Sequence, residues 1–261
     1  PNPHVFIRPF LRREAILSSK IEGTQATLGE LLAAEAGLTV RRSPADLREV
    51  TNYVVAMEYG IKRLRTLPLS LRLVREVHEK LMRGVRGDRA TPGAFRRSQN
   101  WIGDSESTPE TASYVPPPPD ELMACLGAWE TFLHDRTLPP VVQIGLAHYQ
   151  FEAIHPFLDG NGRVGRLLVI LFLIARGILP APFLYLSAYF EATRPQYYQG
   201  LQRVTRRGEW EAWITYFLTA TIRMSEDVLA RAAKMNAKLV AWRHQVAGAP
   251  RAAHQVIDVL A

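Results

Sequence analysis

The chain has 261 residues, of which 47% are hydrophobic and 22% are charged. These values are typical of a globular protein of one or two domains with enough chain to bury a core. The basic residues behind the net charge of +7 are dispersed, so charge alone does not indicate a nucleic-acid-binding protein. A lone Cys125 excludes an internal disulfide and suits a reducing cytosol.

Membrane insertion is not expected from the sequence. The longest strictly apolar run, Leu167–Ala175, is far shorter than the roughly 20 residues that span a bilayer. The opening Pro1-Asn-Pro-His lacks the charged and apolar regions of a signal peptide. We therefore predict a cytoplasmic protein without a membrane partner.

Helical spacing dominates the first third of the chain. A first helix is predicted at Phe10–Glu22 and ends at Gly23. Further helices are predicted at Thr27–Ala36, Ala45–Thr66 and Leu69–Met82, the last with His78 as a surface or packing residue.

The end of the first predicted helix reads Ser18-Ser-Lys-Ile-Glu22-Gly23. A local interpretation makes Ser19 and Glu22 a capping box and Gly23 a helix C-cap, but one short helix cannot use Glu22 at both ends. The functional alternative is that Glu22 is presented from the helix end toward a cationic group.

Residues 93–119 have the pattern of a β-hairpin. Phe95–Gly103 has strand-like residues, Asp104–Ala112 is polar, and Ser113–Pro116 is extended again. Pro116–Pro119 then favours polyproline II. An isolated hairpin either packs on helices or offers an open edge that pairs with an extended peptide.

The most informative stretch is His155-Pro-Phe-Leu-Asp-Gly-Asn-Gly-Arg-Val-Gly-Arg166, between a predicted helix at Val141–Ile154 and the apolar run. Gly160, Asn161 and Gly162 form a turn at a helix N-terminus, where free N–H groups favour a phosphate. Arg163 and Arg166 lie on one helix face and can bind phosphate oxygens. Asp159 can hold Mg²⁺, and His155 is the natural general base.

Each of these residues alone fits a turn or a packing role. A base, a carboxylate, an anion-binding turn and two arginines within twelve residues are hard to explain by packing. The segment resembles the signature of the Fic family, His-x-Phe-x-(Asp/Glu)-Gly-Asn-Gly-Arg-x-x-Arg. Every fixed position is matched, from His155 and Phe157 through to Arg163 and Arg166.

The resemblance implies an all-α enzyme, a Fic-type helical bundle with one short β-hairpin, the flap. It implies transfer of AMP from ATP, with Mg²⁺, to a hydroxyl side chain of a target protein. His155 would deprotonate that hydroxyl, Asp159 would bind Mg²⁺, the Gly160–Gly162 turn would bind phosphates, and Arg166 would hold the γ-phosphate.

Three other segments resemble parts of the same family. Ser18, Glu22 and Gly23 match the motif (Ser/Thr)-x-x-x-Glu-(Gly/Asn) of an N-terminal inhibitory helix, which implies that Glu22 pairs with Arg166 and excludes the γ-phosphate. The flap resemblance makes Trp101, Ile102 and Gly103 walls of a target groove. The segment from Ser187 resembles the one that closes over the base, with Tyr197 and Tyr198 lining it.

Three regions follow from this interpretation. They are an N-terminal helical region (1–92) with the inhibitory helix (about 10–23), a Fic core (93–225) with the flap (93–119) and the catalytic loop (155–166), and a C-terminal region (226–261). The last comprises a helix over Ser225–Ala247 and, after Gly248-Ala-Pro250, a new helix that we expect to begin a truncated winged helix.

Alternatives remain open at this point. Fic-type transfer of UMP, phosphocholine or a phosphoryl group, or removal of AMP, would use the same scaffold. A different class is a DNA-binding regulator with a Fic sensor core, which would contact DNA only through a missing C-terminal domain. The target can be the protein itself, and a homodimer is common among relatives.

Overall fold

The computed structural model describes residues 4–40, 44–85, 91–103, 106–248 and 250. These residues form an almost entirely helical bundle. Its helices are α1 (His4–Ile21), α2 (Leu28–Glu35), α3 (Pro44–Arg63), α4 (Leu71–Leu81), α5 (Leu122–His134), α6 (Pro140–Ile154), α7 (Asn161–Ala175), α8 (Ser187–Ala192), α9 (Arg194–Arg207) and α10 (Trp210–Gln245). The prediction of a helical fold is confirmed.

Local capping signals explain several helix boundaries. Thr27 accepts a hydrogen bond from the Glu30 amide, and the Glu30 carboxylate accepts one from the Thr27 amide, so α2 begins with a capping box. Ser70 caps α4 with a single bond, in which its side-chain hydroxyl accepts from the Leu73 amide. Pro140 begins α6, where its missing N–H costs nothing.

Two helices differ from the prediction in extent. Helix α1 begins at His4 rather than Phe10 and continues through Pro9, because a proline within the first turns removes few intrahelical hydrogen bonds. Helix α10 is continuous over 36 residues, so the segment predicted from Ser225 is its second half.

Helix α7 lies at the centre of the bundle, with every residue from Arg163 to Leu173 buried. Helices α3, α4 and α6 pack around it. A Cβ on Gly60 of α3 would lie 2.7 Å from Leu171 Cδ1, so the glycine allows the close approach of α3 to α7. Burial on all sides explains why this run carries no polar stripe, and it fixes the helix that follows the catalytic loop.

The predicted hairpin over 93–119 is not shown as two strands. The described residues contain one antiparallel bridge, in which Ile102 N–H donates to Tyr114 O at 2.8 Å and Tyr114 N–H donates to Ile102 O at 3.2 Å. Side chains replace the rest of the ladder: Gln99 donates to Pro116 O and Arg96 donates to Pro117 O. Prolines offer no N–H, so a longer ladder cannot form there.

Some predictions fall outside the described residues. Asp104 and Ser105 of the predicted hairpin and the helix predicted after Pro250 belong to this group. Cys125 is a half-buried free thiol. Within the described ranges, none of the helices combines the length and apolarity needed to cross a membrane.

Candidate active site

The loop between α6 and α7 is shaped by two left-handed residues. His155 ends α6 at φ +49°, and Gly160 precedes α7 at φ +80°. Asn161 closes the loop between them: its Oδ1 accepts from Phe157 N–H and its Nδ2 donates to Phe157 O, both at 2.8 Å. The Asn-Gly pattern therefore builds a fixed turn, with the first amides of α7 left without a side-chain cap.

The local hydrogen bond of His155 fixes its tautomer. Its Nδ1 lies 3.2 Å from the Glu152 carbonyl oxygen, which can only accept, so Nδ1 carries the proton. Burial lowers the pKa of His155, which keeps the ring neutral near pH 7. His155 lines a cavity that also borders Glu22 and Arg166, and because Nδ1 carries the proton, its Nε2 has the lone pair that a base needs.

Two residues that sequence reasoning missed hold the backbone of His155. Arg96 Nε donates to His155 O at 3.0 Å, and Arg96 N–H donates to Pro156 O at 2.9 Å. Asn100 Nδ2 donates to His155 O at 3.2 Å and to Phe157 O at 2.9 Å. The segment from residue 93 to 103 is thus fastened to the loop by side chains.

Glu22 and Arg166 form an ion pair at the edge of the glycine turn. Arg166 Nη2 donates to Glu22 Oε1 at 2.7 Å and to Ser18 O at 3.0 Å, and Arg166 Nε donates to Ser18 Oγ at 2.9 Å. A Cβ on Gly162 would collide with Glu22 Oε1, so this glycine makes room for the carboxylate. The end of α1 therefore occupies the guanidinium, as the inhibitory-helix hypothesis requires, and Glu22 is not a capping-box residue.

Charge pairing outweighs burial in this pair. Burial alone would raise the pKa of Glu22, but Arg166 lowers it to a net value below the usual range. Burial alone would lower the pKa of Arg166, but Glu22 raises it overall. Because the pKa of Glu22 is lowered and that of Arg166 is raised, both groups are charged at neutral pH. The contribution of Glu22 to stability is present above its unfolded pKa and is lost as the pH falls through its folded pKa.

Arg163 and Asp159 lie beside the turn and do not line the cavity that His155 borders. Arg163 is buried, with Nη1 3.3 Å from Glu49 Oε2 and Nη2 3.5 Å from Asp159 Oδ1. Those partners make Arg163 a brace between α7 and α3. The Asp159 side chain is half-exposed, and its Oδ1 also accepts from Gly160 N–H.

A lone half-exposed carboxylate next to an anion-binding turn fits Mg²⁺, which commonly takes one or two carboxylates plus substrate phosphates. A site built from protein ligands alone is a different case. Across the described ranges, His, Cys, Asp and Glu side chains form no group of three that could hold a metal. An ion at Asp159 would therefore need further ligands, which substrate phosphates can supply.

The cavity that His155 lines has a volume of about 740 Å³ and extends from His155, Glu22 and Arg166 to α9 and the flap segment. Its walls include Trp101, Ile102 and Gly103 on one side and Tyr197 and Tyr198 on the other. Tyr197 is buried, and its hydroxyl lies 2.9 Å from His148 Nε2, so only part of its ring meets the cavity. Tyr198 is the more exposed of the two. The cavity thus brings together most of the predicted site residues; those that do not line it are Ser18, Gly23, Asp159, Gly160, Asn161 and Arg163.

Glu152 is a second carboxyl that lines the same cavity. Its Oε1 is inaccessible to solvent, lacks a hydrogen-bond partner among the described residues, and would lie 2.5 Å from a Cβ on Gly165. Burial raises the pKa of Glu152 to about 7, because the attraction of Arg166 only partly offsets the loss of water. This carboxyl is therefore partly protonated at neutral pH.

Replacing this carboxyl tests the assignment. Because the folded pKa exceeds the unfolded one, the wild type loses stability as pH rises from about 4.5 to about 7. Glu152→Gln should lack this loss and exceed the wild type at pH 8 by roughly 2 to 3 kcal/mol in unfolding free energy. Urea unfolding at pH 5 and pH 8 measures it, with the exposed Glu121→Gln as control. A wild type and a Glu152→Gln variant with parallel pH profiles would contradict the assignment.

Comparison with known proteins relates the chain to one protein family. A model of the Fic/DOC family matches residues 68–173, and a model of the Fic/DOC family N-terminal region matches residues 1–62. The chain is 32% identical over 166 residues to the protein adenylyltransferase Fic of Drosophila yakuba, which covers 61% of this chain and 31% of that protein. The counterpart in Drosophila grimshawi is 29% identical over 207 residues, or 77% of this chain and 39% of that protein.

The chain thus spans about a third of the length of these curated relatives. Among solved structures, a Fic family protein from Desulfovibrio desulfuricans G20 superposes with a TM-score of 0.71 at 24% identity, covering 90% of this chain and 70% of the other. That likeness concerns the fold. Since the two family models together take in most of the chain, including the loop from His155 to Arg166, this protein belongs to the Fic/DOC family.

Proposed function

We propose that this protein transfers AMP from ATP to a Ser, Thr or Tyr hydroxyl of a target protein, and that Glu22 restrains the reaction. The observation that carries the proposal is that His155, Gly162 and Arg166 face one cavity in which Glu22 occupies Arg166. The adenylyltransferase names of the Drosophila relatives agree with it.

The phosphate chain of ATP would bind at the N-terminus of α7. The amides of its first turn have no side-chain cap and carry the positive end of the helix dipole. Arg166 is one turn further along, where its guanidinium can hold the terminal phosphate once Glu22 has left. Carboxylate and phosphate compete for the same donor, so inhibition acts on how ATP is seated.

The proton transfer would belong to His155. Its Nε2 accepts the proton of the target hydroxyl while the hydroxyl oxygen bonds to the α-phosphorus. The bond from that phosphorus to the bridging oxygen breaks, and pyrophosphate leaves with the electron pair. Asp159, together with the phosphates, would hold Mg²⁺, which would supply charge neutralisation. Catalysis otherwise comes from position and from oriented amides.

The target segment would lie against the flap segment. Trp101 and Ile102 are part-exposed apolar side chains on the cavity wall. The Ile102–Tyr114 bridge leaves backbone groups on its outer side, where an extended peptide can pair. We propose that this pairing places the hydroxyl beside His155.

Labelled ATP tests the reaction. The Glu22→Gly variant is incubated with Mg²⁺ and a lysate, and incorporation is compared between α-labelled and γ-labelled ATP. We expect protein-bound label from the α position only, and its loss when EDTA is added. Label from γ would mean phosphoryl transfer, and stronger label from UTP or from CDP-choline would mean another Fic-type transfer. Either result would overturn the proposal of AMP transfer.

A further inference from the structure

His78 of α4 is a buried histidine that the proposed chemistry leaves unused. Its Nδ1 accepts a hydrogen bond from Gly93 N–H at 2.9 Å, and its Nε2 lies 3.0 Å from the Asp159 carbonyl oxygen. Gly93 is the first residue of the flap segment, and Asp159 belongs to the catalytic loop. One side chain therefore joins two segments that are remote from each other in sequence. The prediction of a surface or packing residue missed both bonds.

The two contacts are chemically asymmetric. An amide N–H can only donate, so Nδ1 must be unprotonated, and a neutral ring then carries its proton on Nε2. That N–H meets a carbonyl oxygen, which can only accept. Each ring nitrogen thus has the partner that its protonation state requires, and the ring orientation is fixed.

The ring also packs against the loop. It stacks on Phe157 with centroids 3.6 Å apart and planes 3° from parallel. A Cβ on Gly160 would lie 3.6 Å from His78 Cδ2 and 2.8 Å from Met82 Sδ, so α4 approaches the left-handed residue closely. The contacts therefore span the loop from Phe157 to Gly160.

We propose that His78 is a positioning residue that fixes the position of the catalytic loop relative to the first residue of the flap segment. Its Nε2–H holds the backbone of Asp159, and its Nδ1 holds the first amide of the flap segment. The consequence for catalysis rests on the proposed AMP transfer, because the metal and the target segment are the groups being positioned.

Two amide substitutions separate the two bonds. Asn places its Oδ1 where the histidine has Nδ1, so His78→Asn keeps the Gly93 contact and loses the one to Asp159. Gln places its Nε2 at the other nitrogen, so His78→Gln keeps the Asp159 contact and loses the one to Gly93. Val77→Ala is the matched control, because Val77 is equally buried on α4 but faces Gly60 of α3.

Amide hydrogen exchange by NMR gives a readout that needs neither metal nor ATP. His78→Asn should speed exchange at Phe157 and Gly160 about tenfold and leave Gly93 unchanged, whereas His78→Gln should do the reverse. With ATP present, His78→Asn should weaken Mn²⁺ binding about tenfold, and His78→Gln should raise KM for the target more than it lowers kcat.

A merely structural histidine predicts a different pattern. If both variants speed exchange in both segments alike, as a general loosening of α4 by Val77→Ala would, the positioning role is wrong. If the exchange pattern holds but no variant of the chain transfers AMP, the positioning role of His78 is supported and only the proposed function is wrong.

Discussion

Glu22→Gly should raise the rate of AMP transfer about ten- to a hundredfold, since a hydrogen bond to a charged group contributes roughly 1.5–3 kcal/mol. The substitution removes the carboxylate that accepts from Arg166 Nη2, while Ser18 still accepts from Nε through its hydroxyl and from Nη2 through its carbonyl oxygen. Radiolabel from α-labelled ATP, followed over time with a fixed target concentration, measures the change.

A matched control separates release of Arg166 from general loosening of α1. Lys20 of α1 forms an ion pair of 2.7 Å with Glu191 of α8, and this pair does not include Arg166. Glu191→Gln should therefore leave the rate within about twofold of wild type, as expected of an exposed pair. Equal rates of AMP transfer for wild type and Glu22→Gly, with ATP binding shown separately, would contradict the proposal that Glu22 restrains the reaction.

His155→Ala should lower AMP transfer by about 10² to 10⁴, the usual contribution of a positioned general base. The change is best measured in the Glu22→Gly background, where the starting rate is highest. The fold should survive, because alanine carries the same left-handed strain as histidine at φ +49° and the loop is held by Asn161 and Arg96.

Circular dichroism and the melting temperature check that survival. His134→Ala is the matched control, since His134 is an exposed histidine at the end of α5. It should retain full activity. A His155→Ala variant that transfers AMP at a rate near that of its parent would exclude His155 as the base.

Much of this architecture was readable from the sequence because its signals are local. Gly160 and Asn161 specify a left-handed turn and the side chain that closes it, and the apolar run after Arg166 specifies a helix buried on all sides. Thr27 and Glu30 specify where α2 begins. These features depend on a few neighbouring residues, so propensity and period suffice to predict them.

The rest depends on contacts between distant segments. Nothing in Phe95-Arg-Arg marks Arg96, rather than Arg97, as the residue that binds the carbonyl of His155. His78 resembles any histidine on an amphipathic helix until Gly93 and Asp159 are brought beside it. The sequence predicts that Arg163 binds phosphates, but it does not reveal that the guanidinium also pairs with Glu49 on α3.

The predicted hairpin shows the same limit. Alternation of residue types favours two strands over residues 93–119, but it does not reveal that Arg96 and Gln99 will take the carbonyls of the prolines that follow. Side chains that bond to backbone groups compete with strand pairing. A period-based prediction therefore finds the segment but overestimates its ladder.

The burial of α1 has a consequence for how restraint is lifted. Phe10, Leu11, Ile16 and Ile21 lie in the core, and Glu14 is buried against Ser187 and Tyr53. Withdrawing the helix would expose four large apolar side chains at roughly 1.5–3 kcal/mol each, comparable to the 5–15 kcal/mol that hold a whole domain together.

The proposed activation is therefore better explained by a local movement of Glu22 than by unfolding of α1. Glu22 sits after the last residue of α1 and beside Gly23, so its carboxylate can swing away while the helix stays in place. A bond of roughly 1.5–3 kcal/mol is open at equilibrium in roughly 0.6% to 8% of molecules. On the proposed restraint by Glu22, the resting protein should therefore show a small basal rate of AMP transfer, and that rate should rise with the fraction of molecules in which Glu22 has left Arg166.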